Sequence, residues 1–163
     1  MLLKRITSAA MMALFLLFFT VIVGGVARAE EALPEGKTVQ TGRIKVRVLD
    51  LRSDKGDLDL ALFNAKKGFP GKTEMALRKA VIPAAGEEHV FVFENVPFGA
   101  YALTVRHDEN RNGKLDTNFL GMPKEGVGTS NNPHKLMGPP SFDDARFVLD
   151  REETELVIRL RYL

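Results

Sequence analysis

Apolar and polar residues alternate along much of this chain with a period of two, which is the pattern of half-buried β-strands. The clearest runs have an apolar residue at every second position: Ile44, Val46 and Val48; Leu58, Leu60 and Leu62; Tyr101, Leu103 and Val105; Leu156, Ile158 and Leu160. Turn-forming residues separate these runs at intervals of roughly eight to twelve residues. No strand–helix–strand rhythm is present, so the pattern predicts an all-β, antiparallel sandwich or barrel of about seven strands.

Three further predictions concern the strands and their connections. Residues 90–93 form a strand with both faces apolar, and Asn95, Pro97 and Gly99 predict a hairpin between it and the Tyr101 strand. Residues 147–149 and 156–160 form a closing pair around a polar turn. Residues 73–80 fit a short turn of helix or an irregular edge strand equally well.

The N-terminus has the organisation of a secretory signal peptide. Lys4 and Arg5 precede an apolar stretch at residues 9–23, and the sequence Ala27-Arg28-Ala29 supplies a cleavage pattern. We expect a signal peptide at residues 1–29, a flexible lead-in at residues 30–41 and one domain at residues 42–163. The alternative is an uncleaved anchor, because the apolar stretch approaches spanning length. The predicted location of the mature chain is the periplasm or the outside medium, with no membrane span after cleavage.

Composition narrows the classes of function. The chain of 163 residues carries a formal net charge of +2. Three of its basic residues and none of its acids lie in residues 1–29, so the rest has one acid in excess and nucleic-acid binding is not indicated. The absence of cysteine excludes thiol catalysis, thiolate metal sites and redox switching.

The loop after the Tyr101 strand carries the most informative motif. Its D-x-N-x-N-G-x-x-D pattern is that of a calcium loop, in which alternate residues direct oxygens inward and Gly113 lets the backbone wrap round the ion. The predicted metal ligands are the side chains of Asp108, Asn110, Asn112 and Asp116 and the backbone carbonyl of Lys114. Ca²⁺ is therefore the predicted cofactor. The alternative is an Asx-rich turn that binds nothing, since the same residues stabilise tight turns.

The loop departs from an EF-hand. A strand precedes it, and its twelfth position is Phe119 where an EF-hand has a bidentate Glu. A missing ligand could come from any of four acids, and the sequence leaves the choice open: Glu109, Glu125, Asp143 or Asp144. The expected affinity is modest, on the order of 10⁻⁴–10⁻³ M as in extracellular modules.

A long excursion with few strand signals follows, from residue 121 to residue 147. We expect it to be ordered, either as one wall of a groove beside the Asp108 loop or as a lid that closes the core. A periplasmic hydrolase of a glycan or small ester, using Glu125, Asp143 or His107 in such a groove, is the alternative function. No catalytic residue is predicted, because no nucleophile lies in a recognisable context.

Several motifs together resemble one family of exported bacterial proteins. They are Pro97-Phe-Gly-Ala-Tyr101, His107-Asp108-Glu-Asn110-Arg-Asn112-Gly113-Lys-Leu-Asp116, Gly121-Met-Pro123-Lys-Glu125-Gly and Gly138-Pro-Pro140-Ser-Phe142-Asp-Asp-Ala145. Gly42 to Leu62 and Phe69-Pro70 are similar to the same family, domain of unknown function 2141. The resemblance implies a small periplasmic or secreted domain without an assigned activity. The hairpin is also similar to transthyretin-like β-sandwiches, which favours an Ig-like or transthyretin-like sandwich with one long ordered loop.

The sequence therefore predicts an exported β-sandwich that is not an enzyme. In this interpretation the Asp108 loop binds calcium, and the ion orders one end of the sandwich. That end would recognise a small ligand or an envelope or extracellular partner whose identity the sequence does not give.

Overall fold

A computed structural model describes residues 39–135 and 138–163. The predicted signal peptide and most of the predicted lead-in lie outside these residues. Thr38–Leu163 forms one compact unit, and both clusters of buried apolar side chains lie within it. No helix in the described part of the chain is long and apolar enough to cross a membrane.

The structure is an all-β sandwich, as the alternation of apolar residues predicts. Eight strands follow one another along the chain: β1 (Thr41–Leu49), β2 (Asp57–Phe63), β3 (Arg78–Pro83), β4 (His89–Pro97), β5 (Gly99–Asp108), β6 (Gly126–Thr129), β7 (Phe147–Leu149) and β8 (Glu153–Arg159). A 3₁₀ turn, Thr73–Met75, precedes β3, and a one-turn helix, α1 (Phe142–Ala145), precedes β7. Both interpretations of residues 73–80 thus have a counterpart, since the 3₁₀ turn leads directly into a strand at the edge of a sheet.

Two sheets make the sandwich. One has the order β4-β1-β8, and the other has the order β3-β2-β5-β6 with β7 also paired to β5. Every pair between named strands is antiparallel except β1 with β8, which is parallel. The alternating residues of β1 and β2 point between the sheets, where Ile44, Leu58 and Ile158 are fully buried.

A second apolar cluster covers the outer face of the larger sheet at one end of β5. Phe63 and Ala102 project from β2 and β5 on this face, and Phe142 and Ala145 of α1 pack over them. Ser141 caps α1 through a capping box with Asp144. This packing places α1 at the end of β5 that lies away from Asp108.

The predicted hairpin between residues 90–93 and the Tyr101 strand is wrong. β4 pairs with β1 in one sheet, whereas β5 pairs with β2 in the other, so the chain at Phe98 crosses between the sheets. The Tyr101 hydroxyl donates a hydrogen bond of 2.7 Å to the Pro97 carbonyl and fixes this crossover. A Pro-x-Gly sequence breaks a strand equally well in a hairpin and in a change of sheet.

The predicted closing pair is also wrong, because β7 pairs with β5 and β8 pairs with β1. The long excursion is divided by β6, whose backbone pairs with residues 104–107 of β5. Residues 109–125 therefore lie at one end of β5, and α1 lies at the other. The described parts of the excursion, residues 121–135 and 138–147, do not form one wall beside the Asp108 loop.

Candidate metal centre

Asp108 is the last residue of β5 and the anchor of the loop. It is only 3% exposed. Its Oδ1 accepts a hydrogen bond from the Asn112 N–H at 3.1 Å, and its Oδ2 accepts one from the Gly113 N–H at 2.7 Å. The loop therefore curls around this carboxylate. Gly113 has a φ of +72°, the left-handed conformation that lets the chain turn here.

The Asp116 carboxylate accepts hydrogen bonds from the side-chain amides of Asn110 and Asn112. Asn110 donates from Nδ2 to Asp116 Oδ2 at 2.7 Å, and Asn112 donates from Nδ2 to Oδ1 and Oδ2 at 3.1 and 3.2 Å. The oxygens of the same amides accept backbone N–H groups, those of Asn112 and Lys114. The structure thus brings together Asp108, Asn110, Asn112 and Asp116. The proposed role of the Lys114 carbonyl stays a prediction.

Glu125 lies beside this loop and is only 3% exposed. Its Oε2 accepts a hydrogen bond of 3.3 Å from the Asp116 N–H, while its Oε1 is buried without a hydrogen-bond partner in the part of the chain that the structure describes. Burial raises the pKa of this carboxyl, and the negative charges of Asp108 and Asp116 raise it further, against the hydrogen bond from Asp116 and the charge of Arg106. A third carboxylate therefore faces the loop at an energetic cost.

Two basic side chains lie near the loop carboxylates, Arg106 on β5 and Arg111 within the loop. Arg106 forms a close ion pair with Asp59 across the β2–β5 pair, and its Nη2 is 3.6 Å from Asp108 Oδ2. Arg111 pairs with Asp57, with an Nε–Oδ2 distance of 3.1 Å. Each arginine has a carboxylate of β2 as its nearer partner, so the arginines neutralise the three loop carboxylates only in part.

The β1–β2 connection holds the start of the loop in place. Gly56 has a φ of +75°, and a Cβ at this position would lie 2.0 Å from the Asp108 carbonyl oxygen. Only glycine permits so close an approach of the two backbones. His107 is fully buried, with Nε2 at 2.7 Å from the Lys55 carbonyl and Nδ1 at 2.7 Å from the Tyr162 hydroxyl. Since the carbonyl can only accept, Nε2 donates to it.

A second polar cluster adjoins the first one. Arg52 binds Glu109 through both Nε and Nη2 and lies over the Tyr162 ring, 4.5 Å from its centroid. The hydrogen bond from Arg52, with a further one from Ser53, lowers the Glu109 pKa to about 2. Of the four candidate acids, Glu109 is therefore the one paired with Arg52.

The other acidic candidates lie elsewhere. Asp143 is in α1 and pairs with Lys66 at 2.5 Å, and Asp144 pairs with Lys135 at 2.6 Å. Gly126, the residue after Glu125, pairs with His107, whereas α1 packs on Ala102. Five residues of β5 separate these points, a distance of roughly 17 Å at 3.3 Å per residue. Glu125 and Asp143 therefore do not lie together as an acid–base pair of the alternative hydrolase would require, and both ring nitrogens of His107 are hydrogen-bonded.

The four side chains that the motif singles out do lie together, and their role as metal ligands stays a prediction, whereas the sequence left Glu125 as one of four candidate acids. The sequence signal for Glu125 is its position just before β6, a glycine-containing strand that pairs with β5. The alternation of apolar residues did not predict β6. Across residues 39–135 and 138–163, no three His, Asp or Glu side chains are grouped so that they could hold a metal ion. Any cation here would depend on the asparagine and backbone oxygens as well.

Comparison with known proteins gives one match. A family model described as an uncharacterized protein conserved in bacteria, DUF2141, matches residues 46–157. No curated protein and no solved structure matches the chain significantly.

Proposed function

The chain belongs to the DUF2141 family of uncharacterized bacterial proteins, and we propose that it is a calcium-binding module whose ion sits in the loop after β5. The proposed ligands are the predicted ones, Asp108, Asn110, Asn112, Asp116 and the Lys114 carbonyl, with Glu125 added. The predicted signal peptide supports an exported protein, for which an affinity on the order of 10⁻⁴–10⁻³ M matches the calcium concentration outside cells.

The observation that carries the proposal is the buried Glu125 oxygen without a partner. Oε1 is shielded from solvent and accepts no hydrogen bond from the described residues, although it belongs to a carboxylate next to Asp108 and Asp116. Leaving such a group unpaired costs free energy. A divalent cation with oxygen ligands would supply the missing partner and screen the repulsion among the three carboxylates.

The asparagine amides suggest how the loop accommodates an ion. Their NH₂ groups now point at Asp116, and a half-turn of each amide exchanges its nitrogen for its oxygen. The exchange breaks the hydrogen bonds that Asn110 and Asn112 accept from the backbone, at 3.1 and 2.7 Å. This cost is consistent with a modest affinity. Magnesium, which requires a more rigid octahedral set, is expected to bind less well.

The test is the melting temperature of residues 30–163, which contain the complete compact unit. It is measured in chelator, in about 10 mM calcium and in about 10 mM magnesium at constant ionic strength. We expect calcium to raise the melting temperature of the wild type by several degrees and magnesium to raise it less. D116N should lose most of the calcium response, and E125Q should lose about half of it or more.

D143N is the matched control, because it removes the same charge from an exposed acid at the other end of β5 and should keep the full response. The proposal fails if calcium gives no increase for the wild type. It also fails if D116N and E125Q respond as fully as D143N.

A further inference from the structure

The segment beyond the metal loop exposes an apolar turn, which we define as residues 117–123. Phe119 at its apex is 95% exposed, Leu120 is 68% exposed and Met122 is 42% exposed. Large apolar side chains that are exposed together mark a site that contacts either another protein or a membrane. None of the three contributes to either buried cluster of the sandwich.

The apolar turn is held in one conformation by its own hydrogen bonds. Thr117 and Pro123 form a β-bridge at its base. Asn118 Oδ1 accepts hydrogen bonds from the Leu120 N–H at 2.9 Å and the Met122 N–H at 3.0 Å. The turn therefore presents its apolar side chains to solvent as part of an ordered structure.

Two lysines flank the apolar turn, and both are exposed. Lys114 precedes it, and Lys124 follows Pro123, with its N–H bonded to the Asp116 carbonyl at 2.8 Å. Within the described ranges neither ammonium group lies within salt-bridge distance of an acid. The apolar apex is thus bordered by positive charges that have no acidic partner there.

We propose that the apolar turn inserts into the interface of an anionic phospholipid bilayer, with Lys114 and Lys124 binding the headgroups. Apolar residues at the tip with lysines beside them suit an interface in which hydrocarbon lies below a layer of negative charge. A narrow convex turn fits deformable lipid directly, whereas a protein partner would have to supply a matching pocket. This contact lies on the membrane surface and does not span it.

The inference does not depend on the proposed calcium site, because none of its groups is a side-chain ligand. It is therefore tested in chelator, which also prevents calcium from bridging the protein to lipid. Residues 30–163 are mixed with vesicles of about three parts phosphatidylcholine to one part phosphatidylglycerol, or of phosphatidylcholine alone, and the bound fraction is measured by flotation.

We expect binding to the anionic vesicles that falls with added salt and weak binding to the neutral ones. F119S/L120S should reduce the partition coefficient roughly tenfold or more, since two large apolar side chains no longer enter the interface. K114E/K124E should abolish the preference for anionic vesicles. V81S is the matched control, because Val81 is a 63% exposed apolar residue on β3, and its partition coefficient should equal that of the wild type.

Three results would overturn the inference. The first is that the wild type does not bind anionic vesicles, and the second is that F119S/L120S and V81S bind them equally well. The third is self-association of the wild type without lipid that F119S/L120S abolishes, which would assign the apolar turn to a second copy of the chain. Because the substituted apolar side chains are exposed, the melting temperatures of F119S/L120S and V81S should match that of the wild type.

Discussion

Replacing Glu125 by Gln should leave stability unchanged or raise it without calcium, and should reduce the stabilisation that calcium gives. Glu125 is 3% exposed, accepts one hydrogen bond of 3.3 Å and is repelled by two neighbouring carboxylates. In chelator at neutral pH, removing its charge should leave the free energy of unfolding unchanged or raise it, by up to about 1 kcal/mol. The Gln amide can donate to Asp108 or Asp116, so the substitution preserves a hydrogen-bonded site.

Calcium should stabilise E125Q less than it stabilises the wild type. For a dissociation constant on the order of 10⁻⁴–10⁻³ M, about 10 mM calcium stabilises the wild type by about 1.4–2.7 kcal/mol. A tenfold weaker E125Q site would gain only about 0.4–1.4 kcal/mol under the same conditions. The calcium response of E125Q should therefore be smaller by about 1 kcal/mol, or about 3–5 °C in melting temperature for a unit of this size.

The pH dependence gives an independent check on the same residue. The folded-state pKa of Glu125 is raised, so its ionised form lowers stability above that pKa, and the penalty disappears as the pH falls toward the ordinary value of about 4.3. The stability difference between E125Q and the wild type in chelator should accordingly be largest at neutral pH. Thermal unfolding of both proteins from pH 7 to pH 4 measures it. A less stable E125Q in chelator, together with an undiminished calcium response, would refute the reasoning.

Three other substitutions test the structure around the loop. G56A should lower the free energy of unfolding by about 2 kcal/mol or more and remove the calcium response. The new Cβ would lie 2.0 Å from the Asp108 carbonyl oxygen, and φ at this position is positive. Chemical denaturation measures the loss of stability. Y162F should lower the free energy of unfolding by about 1–3 kcal/mol, because it leaves Nδ1 of the buried His107 without its partner. An unchanged melting temperature would show that this hydrogen bond does not stabilise the fold. Glu109 has a pKa of about 2, so its stabilising contribution is complete above about pH 4.3 and is lost as the pH falls toward 2. The free energy of unfolding of E109Q should therefore fall less steeply with pH than that of the wild type over this range.

Much of the fold could be predicted because it depends on local pattern. Alternating apolar residues in β1 and β2 identify both strands and their buried faces. The partner of each strand depends on contacts far apart in sequence. The sequence around Pro97 specifies a break but not whether the chain turns back or crosses to the other sheet. The parallel pairing of β1 with β8 has no local signal for the same reason.

The missed strand β6 has a specific physical cause. Its sequence, Gly-Val-Gly-Thr, lacks apolar alternation because its glycines make room for other groups. A Cβ on Gly126 would lie 2.5 Å from the Tyr162 ring, and one on Gly128 would lie 2.7 Å from the Ile158 side chain. Without β6 the sequence could not place Glu125 beside Asp108 or separate it from Asp143. The proximity of the four loop side chains was predictable because their spacing is local, whereas the position of Glu125 depends on strand pairing.

The most direct test of calcium binding is a titration followed by amide nitrogen–proton correlation spectra of residues 30–163, because it shows both binding and its location. We predict saturable shifts with calcium that are largest for residues 108–116 and for Gly126, weaker shifts with magnesium, and none of these shifts in D116N. Saturation should occur at millimolar calcium. Spectra that do not change up to about 10 mM calcium, or whose largest changes lie outside this loop, would contradict a calcium site after β5.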